Sequence, residues 1–238
     1  HSPLMIQIST GTAEYLGYGV LVDAVRSLAE SENVPTCLHL DHCSDISAIE
    51  TAMDAGFTSV MYDGSHLDLE ENIGNTRIVV EMARPRNITV EGELRAIGRS
   101  EDPKAVAAED ICFTRVEDAK RFVEETRVDM LAVSVGTVHG LYTGKAQIQH
   151  QRLKEISAAT GVPLVLHGGT GVSDEDMRQA VTEGINKVNV GTEMNVQWVD
   201  RCKTTFEKGK VNDSVRKFLI PANNAVTHVL IEKIALFK

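Results

Sequence analysis

The chain has 238 residues, 42% of them apolar and 24% charged, which is enough to bury one large core and is read as a single domain over 1–238. A formal charge of −10, with no Lys/Arg-rich stretch to offset it, argues against nucleic acid or an anionic membrane as the main partner. No apolar run approaches the roughly 18 residues of a membrane helix, and Cys37, Cys43, Cys112 and Cys202 form no CxxC pair, so a reducing cytoplasm is the expected setting.

In chain order, the first strand-like run is Leu4 to Ser9, and helical spacing follows from Val20 to Ser31. A second strand, Thr36 to Asp41, ends in LHLDHC, where His42 directly follows the carboxylate of Asp41. Ile46 to Ala55 is helical with Gly56 as its C-cap, Ser59 to Asp63 is a strand, and Leu69 to Ala83 is helical. In the strand Ile88 to Leu94, Glu91 and Glu93 alternate, so both carboxylates share one face. A helix over Val116 to Thr126 precedes the strand Met130 to Gly136, which leads through Thr137 and Val138 to His139 and Gly140. A helix over Arg152 to Thr160 is closed by Gly161, and the strand Leu164 to Gly168 carries His167. Ser173, with Glu175 and Asp176 behind it, reads as the N-cap of a helix over Asp174 to Thr182, with Gly184 as its C-cap. The last strand is read as Lys187 to Thr192, followed by a C-terminal helical stretch ending near Phe237.

Alternating strands and helices define an α/β fold, and seven βα units in one domain suggest the (β/α)8 TIM barrel, which needs eight strands to close. The chain opens at His1 almost directly into a strand, with no methionine or leading helix, so a first βα unit is expected to be absent from it.

In such a barrel the active site forms at the C-terminal ends of the strands. His42, His139 and His167 all fall there, and neutral imidazoles converging from parallel strands suit a catalytic metal. The turns His167-Gly168-Gly169-Thr170-Gly171 and Asn189-Val190-Gly191-Thr192 supply glycines that let backbone N–H groups point at an anion, together with hydroxyl and amide side chains, which reads as phosphate binding. Asp63, Glu91 and Glu93 are carboxylates that burial would penalise unless they meet a metal, a hydrogen-bond partner or a reacting proton. Asp63 and Glu93 are the candidates for orienting the imidazoles.

LHLDHC, SVMYDGSHLDLEENI, VEGEL, VGTVHGLY, LVLHGGTGVSDEDMRQAVTEGINKVNVGTEM and the closing EKIALF resemble the class II, metal-dependent ketose-bisphosphate aldolases of the fructose- and tagatose-bisphosphate type, from Ser2 to Phe237. The resemblance implies that His42, His139 and His167 hold Zn2+, with a monovalent cation left open beside it. Asp41 then matches the acid/base that exchanges a proton with the C4 hydroxyl, and Glu101 the loop base for the C3 proton of dihydroxyacetone phosphate. Gly140, Gly168, Thr170, Asn189 and Thr192 match the phosphate loops, and Ser9 falls near the other end of the substrate. The implied reaction is reversible aldol cleavage of a phosphorylated ketose in carbohydrate metabolism such as glycolysis, without a lysine Schiff base, by a cytoplasmic homodimer or homotetramer.

The chain departs from that family at several positions, one of them Thr170 in place of a more usual serine, which keeps the hydroxyl. Arg95 and Arg99 stand where it has glycines, Thr143 where it often has a phosphate-binding lysine, for which Lys145 is a substitute, and Asn195 where bisphosphate-specific members carry an arginine. An amide lacks the bidentate fork of a guanidinium, so Asn195 points to a ketose with a single phosphate, such as a deoxy-keto-gluconate phosphate. Two further readings are a metal-dependent hydrolase on the same barrel, using Asp41 as base, and an inactive aldolase-like barrel retained for assembly.

Overall fold

A computed structural model describes residues 3–94, 113–140, 147–210 and 213–238. Seven strands form one sheet: β1 (Leu4–Ser9), β2 (Thr36–Cys43), β3 (Ser59–Tyr62), β4 (Thr89–Leu94), β5 (Met130–Val133), β6 (Leu164–Leu166) and β7 (Ile185–Val188). Each pairs in parallel with the next, so spatial order equals chain order, as in a (β/α)8 barrel. Among the described residues the sheet is one strand short of the eight with which such a barrel closes.

Helices cover the outer face: α1 (Thr10–Leu16), α2 (Tyr18–Glu32), α3 (Ile46–Ala55), α4 (Leu69–Ala83), α5 (Val116–Thr126), α6 (His150–Thr160), α7 (Asp174–Thr182), α8 (Thr192–Lys208) and α9 (Val215–Leu236). Their starts follow local chemistry. The Asp68 side chain accepts from Glu71 N at the head of α4, and Ser173 from Asp176 N at the head of α7. In α5, Ala119, Phe122, Val123 and Thr126 are buried at helical spacing and pack toward the sheet. β3, β5 and β6 are nearly all apolar because both faces of a parallel sheet are covered, and burying a side chain such as Leu131 or Phe122 stabilises by about 1.5–3 kcal/mol.

Several boundaries differ from those read in the sequence. α1 was not foreseen: it is seven residues long, buries only Ala13, and so carries almost no periodic apolar signal. The last strand is Ile185–Val188 rather than Lys187 to Thr192; it begins directly after Gly184, and Thr192 instead opens α8. Gly184, at φ 126°, therefore leads into a strand, while Glu183 takes the C-cap position of α7. β5 and β6 stop at Val133 and Leu166, leaving Ser134 to Gly136 and His167 to Gly168 as turn. The C-terminal stretch is two helices, joined by Phe206 stacked on Phe218 at 4.6 Å and by Trp198 Nε1 donating to Asn223 Oδ1.

Register decides which side chains meet. Ser9 lies opposite Asp41, Met61 opposite Glu91, and Val165 opposite Lys187. The C-terminal ends of β1, β2, β3, β4 and β6 thus present Ser9, Asp41, Asp63, Glu93 and His167 around one mouth, with a deeper layer at His39, Glu91 and Lys187.

Candidate metal centre at the strand ends

β2 is where the chain departs most from regular geometry. Leu38 and Leu40 are buried on the helix-facing side, while His39 and Asp41, two apart, face the interior. Strict alternation would send His42 outward with Leu38 and Leu40. Instead the pairing with β3 shifts register between Leu40 and Cys43, and His42 takes φ 49°, a left-handed conformation a non-glycine residue adopts at a cost of about 1–3 kcal/mol. The bulge places consecutive residues, a carboxylate and an imidazole, in the same mouth.

His139 arrives on the turn beyond β5, between Gly136 at φ 114° and Gly140 at φ 94°. His167 follows β6 directly and is fully buried. Gly168, at φ 68°, sits so tightly against the Val138 peptide that a Cβ there would overlap the Val138 carbonyl, so the two histidine-bearing turns are packed backbone to backbone.

The three imidazoles converge. Ring centroids lie 4.9 Å apart for His42 and His139, 4.7 Å for His42 and His167, and 5.4 Å for His139 and His167, and all three pairs are near-perpendicular. One nitrogen from each ring lies within 4.8 Å of the other two. His42 Nδ1 is 2.8 Å from Asp63 Oδ2, and His167 Nε2 is 2.9 Å from Glu91 Oε1. If each of those nitrogens donates its proton to its carboxylate, the inner nitrogens carry lone pairs, and His42 Nε2 and His167 Nδ1 face each other at 2.9 Å. Two lone pairs at that separation need an electrophile between them, a proton or a metal cation. The donor set, three imidazoles with carboxylates behind them, fits Zn2+.

Charge is arranged around this point. Burial works against ionising His42, but the Asp63 hydrogen bond and the nearby Asp41 and Glu93 outweigh it and raise its pKa. His167 is shifted down by burial, against the pull of Glu91. Partial burial pushes Asp63 up, yet the hydrogen bonds from His42 and Ser65 hold it well below the usual carboxylate range. Glu91 is likewise held ionised despite complete burial, by Lys187 first and then by His167 and His39.

Of the other residues named from the sequence, Glu93 lies 3.6 Å from His42 Nδ1, farther than Asp63. Glu93, Asp63 and His42 form a second set of ligand atoms within 4.8 Å of one another. Asp41 is one-fifth exposed and accepts from Asn189 Nδ2 at 3.3 Å; the same amide nitrogen lies 3.2 Å from His167 Nε2. Thr170 stands on the turn after His167, and Thr192 on the first turn of α8, where backbone N–H groups suit an anion. Ser9 stands beside Asp41, its hydroxyl donating to Thr12 Oγ1 and accepting from Thr12 N. Glu101, Arg95, Arg99, Thr143 and Lys145 lie outside the described residues.

Of three interior residues, Lys187 and His39 had no assigned role in the sequence reading, and Glu91 was expected only to need some partner. Glu91, rather than Glu93, holds His167. Lys187 reaches Glu91 Oε2 at 2.7 Å from across the barrel. His39 is fully buried, 2.7 Å from Ser59 Oγ through Nδ1, and burial pushes its pKa down to about 4. The available signal was a charged residue inside each of two otherwise strand-like runs, at Glu91 and Lys187, without any indication that the two meet.

A parallel barrel with a histidine cluster at the carboxyl ends of its strands defines the class of molecule, and comparison with known proteins narrows it. The whole chain, residues 1–238, matches the family described as class-II fructose-bisphosphate aldolase. It is 39% identical over 229 residues to the D-tagatose-1,6-bisphosphate aldolase subunit GatY of Klebsiella oxytoca, covering 96% of this chain and 81% of that protein. It is 37% identical over 240 residues to a fructose-bisphosphate aldolase of Staphylococcus aureus strain Mu50, covering all of this chain and 83% of that one. The crystal structure of the YdjI aldolase from Escherichia coli K12 superposes with a TM-score of 0.86 at 33% identity, over 99% of this chain and 82% of the other. The chain belongs to the class II fructose-bisphosphate aldolase family and is a carbon–carbon lyase.

Proposed function

We propose that the chain, as one barrel domain, cleaves a phosphorylated ketose reversibly into dihydroxyacetone phosphate and an aldehyde, with Zn2+ held by His42, His139 and His167. The observation that carries this is the pair of facing imidazole nitrogens 2.9 Å apart, each ring backed by a carboxylate, partly buried Asp63 for His42 and fully buried Glu91 for His167. Zinc bound there supplies Lewis-acid polarisation of the ketose carbonyl.

The remaining steps belong to the protein. Asp41, beside the cluster and partly open to solvent, takes the proton of the hydroxyl across the scissile bond and returns it in the reverse direction. Asn189 donates to one oxygen of Asp41 through its amide. Gly140, Gly168, Thr170 and Thr192 offer backbone and hydroxyl donors to the phosphate, and Ser9 lines the opposite side. Glu101 is proposed as the base for the C3 proton on the strength of the resemblance. Lys187 is committed to a buried carboxylate, so it is no candidate for a Schiff base.

Fructose- and tagatose-bisphosphates are the substrates suggested by the names of the relatives. Asn195, at an exposed position on the first turn of α8, favours instead a ketose with one phosphate. We also propose a cytoplasmic homodimer or homotetramer, on the family resemblance. A panel of ketose mono- and bisphosphates, assayed for triose phosphate release with and without EDTA, tests the reading. Release that is lost with EDTA and restored by Zn2+ is expected; EDTA-insensitive release, or liberation of inorganic phosphate alone, would overturn it.

A further inference from the structure

We infer that Lys187 is a positioning residue for the metal centre, acting through Glu91 on His167; the inference rests on the metal-site reading above. Glu91 is completely buried at the centre of β4, and each of its oxygens has one close partner. Oε1 lies 2.9 Å from His167 Nε2 and Oε2 lies 2.7 Å from Lys187 Nζ, whose side chain is itself 11% exposed. His39 Nε2, at 3.6 Å from Oε2, is beyond hydrogen-bond range, so among the described residues Lys187 is the cation that bonds this carboxylate.

Two bonds on two oxygens fix the plane of a carboxylate, and that plane sets the direction along which His167 donates. A fixed Nε2–H in turn fixes the tautomer, leaving the Nδ1 lone pair directed at His42 Nε2. β7 thereby controls a ligand carried by β6 through a residue of β4. Without the ammonium, Glu91 is a buried charge with half its partners gone. With no bond left on Oε2 the carboxylate can turn about its Oε1 contact, and that loosens the acceptor that orients His167.

The direction of the effect separates this role from simple electrostatics. Deleting a positive charge near a cation site should tighten metal binding if charge alone acts; loss of positioning should weaken it. The test measures Zn2+ affinity by chelator competition, and the d–d absorption of the Co2+-substituted protein, for the full chain and for Lys187→Met, Glu91→Gln and the double variant. Lys187→Met is expected to bind Zn2+ about 10–100-fold more weakly, with a shifted Co2+ spectrum. In the Glu91→Gln background the same change should cost less than about twofold, because the route through Glu91 is already cut. If Lys187→Met does not fold, Lys187→Gln, which retains a neutral donor, takes its place and should also bind more weakly. Unchanged or tighter Zn2+ binding with an unchanged Co2+ spectrum overturns the inference, as does an equal loss in both backgrounds. A parent chain that takes up no Zn2+ overturns the metal-site reading and this inference with it.

Discussion

Asp41 and His42 are adjacent in sequence yet are set in different surroundings by one backbone torsion. Asp41 continues the inward alternation of β2 and keeps its carboxylate partly wet, held by a neutral amide donor. His42 is turned into the same mouth by its left-handed φ and is backed by Asp63. On the proposed roles, proton transfer at Asp41 and metal binding at His42, this arrangement predicts separable defects. Asp41→Asn preserves size and can still accept from Asn189, so it should lower kcat by about 10²–10⁴-fold while bound Zn2+ and thermal stability stay near those of the parent. Zinc quantified alongside single-turnover cleavage checks this; loss of metal together with activity would make Asp41 part of the metal centre instead.

At the scale of elements, the strands carry the fold and the turns after them carry the chemistry. The strand runs were legible because buried parallel strands are short and β-branched, and the helix starts at Asp68 and Ser173 because capping is written locally. The bulge in β2 was not legible, since nothing in LHLDHC marks which residue will break the alternation. Nor was the Glu91–Lys187 pair, whose members are 96 positions apart and meet only once the sheet curls. The placement of His139 and His167 on the turns beyond β5 and β6 depends on the close contact between Gly168 and the Val138 peptide. Gly168→Ala puts a methyl group against that carbonyl at a φ of 68°, and should destabilise by about 1–3 kcal/mol, a melting shift of roughly 2–10 °C. It should also displace His167 and reduce zinc occupancy, whereas Gly11→Ala, with nothing near its Cβ, should change neither. Thermal melts with metal analysis on the two variants decide the point.

At the scale of the molecule, the seven parallel strands of the described residues run in sequential order and bring residues from β1 to the turn after β7 onto one rim. This is why the candidates Ser9, Asp41, His42, His167 and Asn189 fall in one neighbourhood. The general α/β character and the histidines at strand ends could be read from the sequence because they depend on local pattern. The depth ordering, with the three clustered imidazoles at the rim and Glu91, Lys187 and His39 beneath, depends on register and could not. No helix among the described residues is long and apolar enough to cross a membrane. Among the described residues the exposed large apolar side chains are scattered over β1, α1, α2, α4, α8 and α9.

The convergence of three imidazoles on one cation is tested most directly by X-ray absorption at the zinc edge on the zinc-loaded chain. One tightly bound Zn2+ per chain, with a coordination shell containing three imidazole nitrogens at about 2.0–2.1 Å and the remainder oxygen, is the predicted result. A shell containing sulfur, or fewer than three imidazoles, would contradict it.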